Sequence, residues 1–244
     1  MVIINLNLIV MKNFSMNIVK TMALIFMVGC AMSLSAQKAG ETVKDADGNE
    51  YKTVFIGSQT WFAENLKTTK FNDGKSISNV TDNGSWSTTK TPAYCWYENN
   101  SGNKDEYGAL YNWYAASSGK LCPTGWHVPT DAEWTTLEDK LGKDEAAAKL
   151  RETGTAHWKG TTDKVTNETN FNMVGAGLRD AYGSFTWKNF DINVDYLLLD
   201  AAFWSATGKS MSYAWNRITH YYDNDFKRHE VQKWHGYSVR CVKD

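Results

Sequence analysis

Apolar residues recur at helical spacing most clearly in the middle of the chain. Trp134, Leu137 and Leu141 fall at positions i, i+3 and i+7, so their side chains share one face of a helix. This pattern predicts a helix over Asp131–Leu141. A shorter run with alanines and a leucine on its inner face predicts a second helix over Glu145–Thr153.

Polar residues at the helix ends support both predictions. Thr130 and Glu133 have the S/T-x-x-E spacing of a capping box, in which each side chain accepts from the backbone N–H of the other residue. Gly142 suits the position after a last helical turn, and Asp144 can cap the second helix. Glu133 and its neighbour Asp131 therefore have a local structural explanation in the first helical turn.

Most of the remaining apolar residues form short β-prone runs between polar turns. Residues 43–66 have the pattern of a β-meander, with a turn at Asp47-Gly48. Further strands are predicted at residues 171–178, 183–187, 202–206, 212–218 and 236–242.

The rest of the chain is predicted to contain one short helix and long ordered loops. The helix is expected over Tyr107–Ser117, where apolar residues have helical spacing. Polar loops are expected at residues 72–105, with a short strand at 93–97, and at residues 155–170. Few helices, many short strands and long loops predict an α+β fold.

Residues 1–36 have the pattern of an export signal. Lys12 and Lys20 form a basic region, and a short apolar run follows at residues 22–29. This run is too short for a membrane-spanning helix. We predict that residues 1–36 are a signal peptide and that residues 37–244 form a single domain.

Two routes of signal processing stay open. Met27-Val-Gly-Cys30 resembles a lipobox, which would end the signal at residue 29 and anchor the protein in a membrane through a lipidated Cys30. Small residues at 33–36 suit an ordinary signal peptidase. We favour this second route because Ser-Ala-Gln-Lys at residues 35–38 is a typical end of such a leader. The lipobox also has Met27 where Leu is usual. Either route exports the protein to the extracellular space, the outer-membrane surface or the periplasm.

Composition and charge indicate which classes of molecule the protein could bind. The chain has 26 Lys and Arg against 27 Asp and Glu, and no basic stripe indicates a nucleic-acid partner. It is rich in aromatic residues, with 11 Trp, 12 Tyr and 10 Phe. We expect most of these rings to fill the core of a loop-rich fold, and some to be available for stacking on sugars.

Five sequence segments together resemble one known family. Cys-Pro-Thr-Gly-Trp-His-Val-Pro-Thr-Asp-Ala-Glu-Trp at 122–134 resembles the centre of the Fibrobacter succinogenes major paralogous domain, and residues 51–61, 63–71, 107–113 and 236–243 match it in order and spacing. The family is similar to sulfatase-modifying-factor and C-type-lectin-like folds, so the resemblance implies such a fold. It also implies a secreted protein or surface lipoprotein. It implies no particular activity, because the family's activity is largely unassigned.

The resemblance further implies a disulfide between Cys122 and Cys241, because lectin-like folds tie together the two regions in which these residues lie. An exported protein can form such a bond. Cys95 is then expected to be a buried thiol. The formylglycine-generating relatives use a pair of active-site cysteines, and no such pair can be placed in this chain.

Other titratable residues show no spacing typical of a catalytic or metal centre. The five histidines lack the H-x-x-x-H and H-E-x-x-H spacings. We interpret His127 as a hydrogen-bonded loop residue, and Glu138 and Asp139 as solvated helix surface. We therefore expect no catalytic residue, no bound metal and no cofactor.

A ligand-binding segment is expected at Ser205–Trp234. Ligands of lectin-like folds meet the long loops before the last strands, and this segment interleaves aromatic rings with amides and charges, which suit glycan or protein surfaces. The candidate residues are Trp215, Asn216, Arg217, His220, Tyr221, Tyr222, Asp223, Asn224 and Arg228. The alternative is a polar hairpin with two packed tyrosines. Calcium could bind Asp223, Asn224 and Asp225, but three adjacent oxygens do not fill its coordination shell.

The sequence favours a non-catalytic binding module for a glycan or a cell-surface protein. A second hypothesis is an extracellular enzyme that acts on polysaccharide or modifies proteins through His127, Asp131 or Glu133. A third is a structural component of the cell surface.

Overall fold

The computed structural model describes residues 40–189 and 192–244. The predicted signal peptide at 1–36, with the candidate lipidation site Cys30, lies outside these residues. Both stay predictions.

The described part of the chain is built from short strands. In chain order they are β1 Val43–Lys44, β2 Glu50–Tyr51, β3 Thr53–Ile56, β4 Gln59–Phe62, β5 Ser78–Asn79, β6 Ala93–Cys95, β7 Leu110–Tyr111, β8 Trp126–His127, β9 Thr186–Asn189, β10 Ile192–Asp195, β11 Asp200–Gly208, β12 Tyr213–His220, β13 Lys227–Gln232 and β14 Val242–Lys243.

Helices are few, and most of them are short. They are α1 Asn83–Thr88, α2 Lys104–Tyr107, α3 Trp113–Ala116, α4 Asp131–Leu141 and α5 Ala146–Leu150, with 3-10 turns at Tyr97–Asn99 and Ser101–Asn103. The predicted α+β class is confirmed. No helix among the described residues is both long and apolar enough to cross a bilayer.

The strands form small, mostly antiparallel sheets. One sheet has the order β3-β4-β14-β8, and a second has the order β11-β12-β13. A third has the order β5-β6-β7, in which β5 and β6 are parallel. Two-stranded ribbons are formed by β1 with β2 and by β9 with β10. The last strand of the chain, β14, therefore pairs with strands near the beginning and the middle.

Helix α4 has the predicted bounds because its end signals are local. The Thr130 hydroxyl accepts from the Glu133 N–H at 3.3 Å, and the Glu133 carboxylate accepts from the Thr130 N–H at 2.7 Å, so the predicted capping box is confirmed. The inner face of α4 carries Trp134, which is fully buried with its ring 4.7 Å from that of Trp61. Truncation of such a ring to alanine costs about 3–5 kcal/mol.

The disulfide between Cys122 and Cys241 is confirmed and joins positions 119 residues apart. It ties the segment before β8 to the segment before β14. A loop of this length contributes about 4–5 kcal/mol in the chain-entropy account. Cys95 is a buried free thiol, as predicted, and burial raises its pKa to about 12.

The predicted β-meander at residues 43–66 is confirmed in part: strands β1 to β4 are present, but β1 and β2 form their own ribbon and β3 and β4 belong to the four-stranded sheet. Its first turn is held by Asp45, whose carboxylate accepts from the N–H groups of Asp47 and Asn49 at 2.9 Å each. Gly48 has a φ of +84°, which a glycine adopts without strain.

The helix predicted over Tyr107–Ser117 is wrong. Gly108 ends α2 with a φ of +77°, and β7 occupies the middle of the predicted helix. A new helical turn, α3, then begins after Asn112, whose side chain accepts from the Ala115 N–H at 3.1 Å. Apolar spacing alone could not reveal this break, because β7 and α3 both direct apolar residues into the core.

Other expected elements differ in extent. The second helix is Ala146–Leu150, shorter than predicted, and Glu145 rather than Asp144 stands at its N-cap. It ends where Arg151 becomes extended. The strand expected at 171–178 contains only isolated bridges, and α1 was not predicted within the loop at 72–105.

Candidate functional site

The segment Ser205–Trp234 is not a long loop. It folds into two strand hairpins, because β11, β12 and β13 run through it and form a three-stranded antiparallel sheet. Strand β13 was missed because Lys-Arg-His-Glu-Val-Gln has little β propensity. The predicted ligand residues therefore lie on strands or in the turn at residues 221–226, between β12 and β13.

Arg217 lies on β12 and is completely buried. Its guanidinium donates to Asp131 at 2.7 Å, to Thr135 at 3.0 Å and to Glu138, all on α4. A guanidinium with these partners joins the sheet to the helix. It is not accessible to a ligand in this structure.

The carboxyl groups around Arg217 respond differently to burial. Burial raises the pKa of Glu138 above its ordinary value, although Arg217 opposes this shift. Burial also acts to raise the pKa of Asp131, but the hydrogen bonds from Arg228 and Arg217 outweigh it and lower that pKa. The interpretation of Glu138 as solvated surface is wrong, because the residue is buried, whereas its neighbour Asp139 is exposed as expected.

Arg228 and Trp215 form a second structural group on the same face of the sheet. Arg228 donates from Nε and Nη2 to the Asp131 carboxylate at 2.7 to 3.1 Å. Its guanidinium carbon also lies 3.3 Å from the ring centroid of Trp215. Lys209 contacts the same ring at 4.8 Å. Cations already occupy the Trp215 ring, which makes it a poor platform for a sugar.

Asn216 is buried between these positions and points to the opposite face of the sheet. Within the described structure, neither atom of its amide has a hydrogen-bond partner. Its cross-strand neighbours are Trp204 and His229. A buried unpaired amide costs stability, and its burial leaves it out of reach of a surface ligand.

The turn after β12 is the exposed part of the predicted site. Tyr222 is 60% exposed, and its ring lies 5.5 Å from the His220 ring with an interplanar angle of 19°. Tyr221 packs edge-on against Tyr222 at 5.0 Å. The mostly exposed Tyr222 ring, stacked on the half-buried ring of His220, forms an accessible aromatic surface, called here the turn platform.

His220 is fixed in the platform by Asp200. Its Nδ1 lies 2.5 Å from the Asp200 carboxylate, which is largely buried on β11. This hydrogen bond raises the pKa of His220 more than partial burial lowers it. Acidic conditions therefore strengthen the contact that orients the ring.

Hydrogen bonds from Arg151, at the end of α5, hold the backbone of the turn in place. This buried guanidinium donates to the carbonyls of His220, Tyr221 and Asp223 at 2.7 to 2.8 Å. The Thr162 hydroxyl also donates to the Asn224 side chain at 2.8 Å. Because the turn is already fixed, it loses little conformational entropy when a ligand binds.

The calcium hypothesis gains no support from this geometry. The Asp223 carboxylate binds Lys227 at 2.7 Å, and the Asn224 side-chain oxygen accepts from Thr162. Across residues 40–189 and 192–244, no group of three or more His, Cys, Asp or Glu is placed to hold a metal. The expectation of no cofactor and the calcium alternative both remain untested.

His127 lies between two carboxylates, on β8 rather than in a loop. Its Nε2 is 2.8 Å from Glu133, and its Nδ1 is 2.6 Å from Asp244. Partial burial acts to lower the pKa of His127, but these two hydrogen bonds raise it. The interpretation of His127 as a hydrogen-bonded residue is confirmed, and Glu133 has its two oxygens occupied by His127 and Thr130.

The structure also contains an acidic cavity that the sequence did not indicate. Its volume is about 190 Å³, and carboxylates of Glu50, Glu64, Asp105 and Glu106 line it. The buried Arg240 in its wall donates to Asn65 and to backbone carbonyls. The Arg240 guanidinium is thus already satisfied by protein atoms.

Fold and site together define an α+β domain with a disulfide-bonded core and an exposed aromatic turn. The chain matches the family model described as the Fibrobacter succinogenes major domain over residues 54–243, and it belongs to this family. Comparisons with curated proteins and with solved structures find no match. The expected family membership is thus confirmed, while the similarity to lectin-like folds stays a prediction.

Proposed function

We propose that this protein is an exported, non-catalytic binding module with a lectin-like fold, which binds a glycan at the cell surface through the turn platform. The observation that carries the proposal is the exposed Tyr222 ring beside the nearly parallel ring of His220. Flat aromatic surfaces supply apolar contact area for sugar rings at low entropic cost.

Polar groups around the platform support the choice of a glycan. Asp223 and Asn224 follow Tyr222 directly in the turn. Lys227 binds the Asp223 carboxylate and Thr162 binds the Asn224 oxygen, but the Asn224 amide nitrogen has no hydrogen-bond partner among the described residues. A free amide donor beside an apolar ring is a combination that orients polar ligands. Arg151 holds the turn backbone, so the site exists before the ligand arrives.

The carboxylates that would suit an enzyme have structural roles. Glu133 caps α4 and binds His127, and Asp131 forms ion pairs with two arginines. This arrangement favours binding over catalysis as the function of the domain.

A glycan array tests the proposal on the exported chain, with and without a calcium chelator. We expect binding that persists in the chelator, is lost in Tyr222→Ala and is retained in Tyr182→Ala. Tyr182 is the matched control because it is also a tyrosine in a turn and is 83% exposed. Absence of glycan binding, or binding unchanged in Tyr222→Ala, would contradict the proposal. Binding abolished by the chelator would instead support the calcium hypothesis.

A further inference from the structure

Strand β13 leaves one side of its backbone open. The Tyr221 N–H donates to the Leu199 carbonyl at 2.7 Å, and the Lys233 N–H donates to the Ser212 carbonyl at 2.9 Å. Together with the registers of the two hairpins, these bonds show where the backbone groups of β12 are directed. Its odd-numbered residues form backbone hydrogen bonds with β11, and its even-numbered residues form them with β13. On β13, the odd residues therefore face β12, and the even residues direct their N–H and C=O groups outward.

The two outer edges of this sheet differ. On the β11 edge, the carbonyls of Asp200 and Ala202 accept from the N–H groups of Gly177 and Ser238 at 2.9 and 3.0 Å. On the β13 edge, no described residue donates to or accepts from the outward groups of Arg228 and Glu230. An open edge of this kind is a template for another strand.

The side chains along β13 complement a second copy of the same strand. An antiparallel pair with its two-fold axis at His229 places Arg228 of each copy opposite Glu230 of the other. The backbone N–H and C=O groups of both residues point away from β12. The same register therefore also places the free donors of each copy opposite the free acceptors of the other. Opposite charges in directly opposed positions stabilise a strand pair.

Arg228 can contact Glu230 of the second copy while it keeps its hydrogen bonds to Asp131. Its Nε and Nη2 bind Asp131, and its Nη1 has no partner among the described residues. Glu230 has only a long contact with Lys209, at 3.9 Å. Both side chains thus retain capacity for the partner strand.

We propose that two copies of this chain associate through β13, forming one continuous six-stranded sheet in which β13 of one copy pairs antiparallel with β13 of the other. The strand has six residues, or about 20 Å. Such a short edge buries little area, so the dimer is weak and depends on concentration. This proposal is independent of glycan binding, because the turn platform lies at the end of the hairpin.

Cysteine cross-linking tests the register directly. In the proposed pair, His229 faces itself in a non-hydrogen-bonded position, with Cα atoms about 4.5 Å apart, which a disulfide can span. In this register, Lys227 of one copy lies four residues along the strand from Lys227 of the other. Their Cα atoms would therefore be about 14 Å apart.

On air oxidation of the full chain, we expect His229→Cys to form a covalent dimer on a non-reducing gel and Lys227→Cys to stay monomeric. A monomeric His229→Cys protein, or equal cross-linking of both variants, would overturn the proposal. Cys95 does not interfere, because it is buried, and both variants also carry Cys30→Ser so that Cys30 cannot form the cross-link.

Charge reversal tests the pairing of Arg228 with Glu230. Sedimentation velocity of the wild-type chain should show a mass that rises with concentration. Glu230→Arg places like charges in opposition, so we expect a dissociation constant at least tenfold higher. Asp163→Arg is the control, because it reverses the charge of an exposed residue outside β13 and should dimerise as the wild type does.

Thermal unfolding is measured alongside to show that Glu230→Arg remains folded. A wild-type chain that stays monomeric at all concentrations would overturn the proposal, as would a folded Glu230→Arg chain that dimerises normally. Neither result would affect the glycan-binding proposal, whose array readout uses Tyr222.

Discussion

The middle and the turn of the hairpin formed by β12 and β13 contain similar residue types and differ in role. In its middle, Arg217 and Arg228 bind Asp131 in a buried or half-buried network against α4. At its turn, Tyr222 is exposed beside His220. Arginine, aspartate and aromatic residues thus hold the domain together in one place and face solvent in the other.

The difference arises from the alternation of a strand. Odd residues of β12 face α4, so Arg217 is enclosed between sheet and helix, whereas the turn extends beyond the helix. Residue type alone therefore does not identify a ligand site. What matters is whether the polar groups are already satisfied within the domain.

The largest expected effect comes from removing Arg217. Arg217→Met leaves Glu138 buried without its cation, which should lower the free energy of unfolding by about 3–5 kcal/mol at pH 7. Urea unfolding of the purified chain measures the loss. In Arg217→Met/Glu138→Met the unpaired charge is also removed, so part of the stability should return. A loss below about 1 kcal/mol in the single variant would show that the network does not stabilise the fold.

Removing Asp131 should have a smaller effect that depends on pH. Asp131→Asn weakens charged hydrogen bonds to two arginines, at a cost of about 2 kcal/mol at pH 7. The folded pKa of Asp131 lies below its ordinary value of 3.8, so its contribution is present above that pH and is lost as pH falls through the folded pKa. Urea unfolding at pH 7 and near pH 2 should show the difference between variant and wild type shrinking at the lower pH.

The His220 contact should contribute less, with the opposite dependence on pH. Its folded pKa is raised above 6.5, so the contribution is complete below that value and is lost as pH rises through the folded pKa. We expect His220→Asn to cost roughly 1 kcal/mol or less at pH 5 and nearly nothing at pH 9. A cost that is larger at pH 9 would refute the protonated contact with Asp200.

The smallest effect on stability is expected at Tyr222, where the effect on binding is the largest. Tyr222→Ala should change the free energy of unfolding by less than about 0.5 kcal/mol, because the ring is mostly exposed. Loss of glycan binding at unchanged stability would distinguish the role of the turn from that of the middle of the hairpin most clearly. A destabilisation comparable to that of Arg217→Met would show instead that the tyrosine is part of the core.

Features that depend on nearby residues could be predicted from the sequence. Helix α4 has the predicted bounds because Thr130, Glu133 and Gly142 mark its ends within a few residues of chain. The turn at Asp47-Gly48 followed from its own residues as well. The disulfide between Cys122 and Cys241 was correct because the family resemblance supplied a contact that local patterns do not contain.

Only the tertiary structure decided which polar residues of the predicted site stay accessible. Strand β13 forms because β12 offers a partner, and Arg217 is buried because α4 packs on that side of the sheet. Asp131 and Arg217 are 86 residues apart in the chain, so no local pattern could reveal their contact. Local hydrogen bonding and apolar spacing determine helix ends and turns, whereas burial depends on distant segments that meet only in the folded domain.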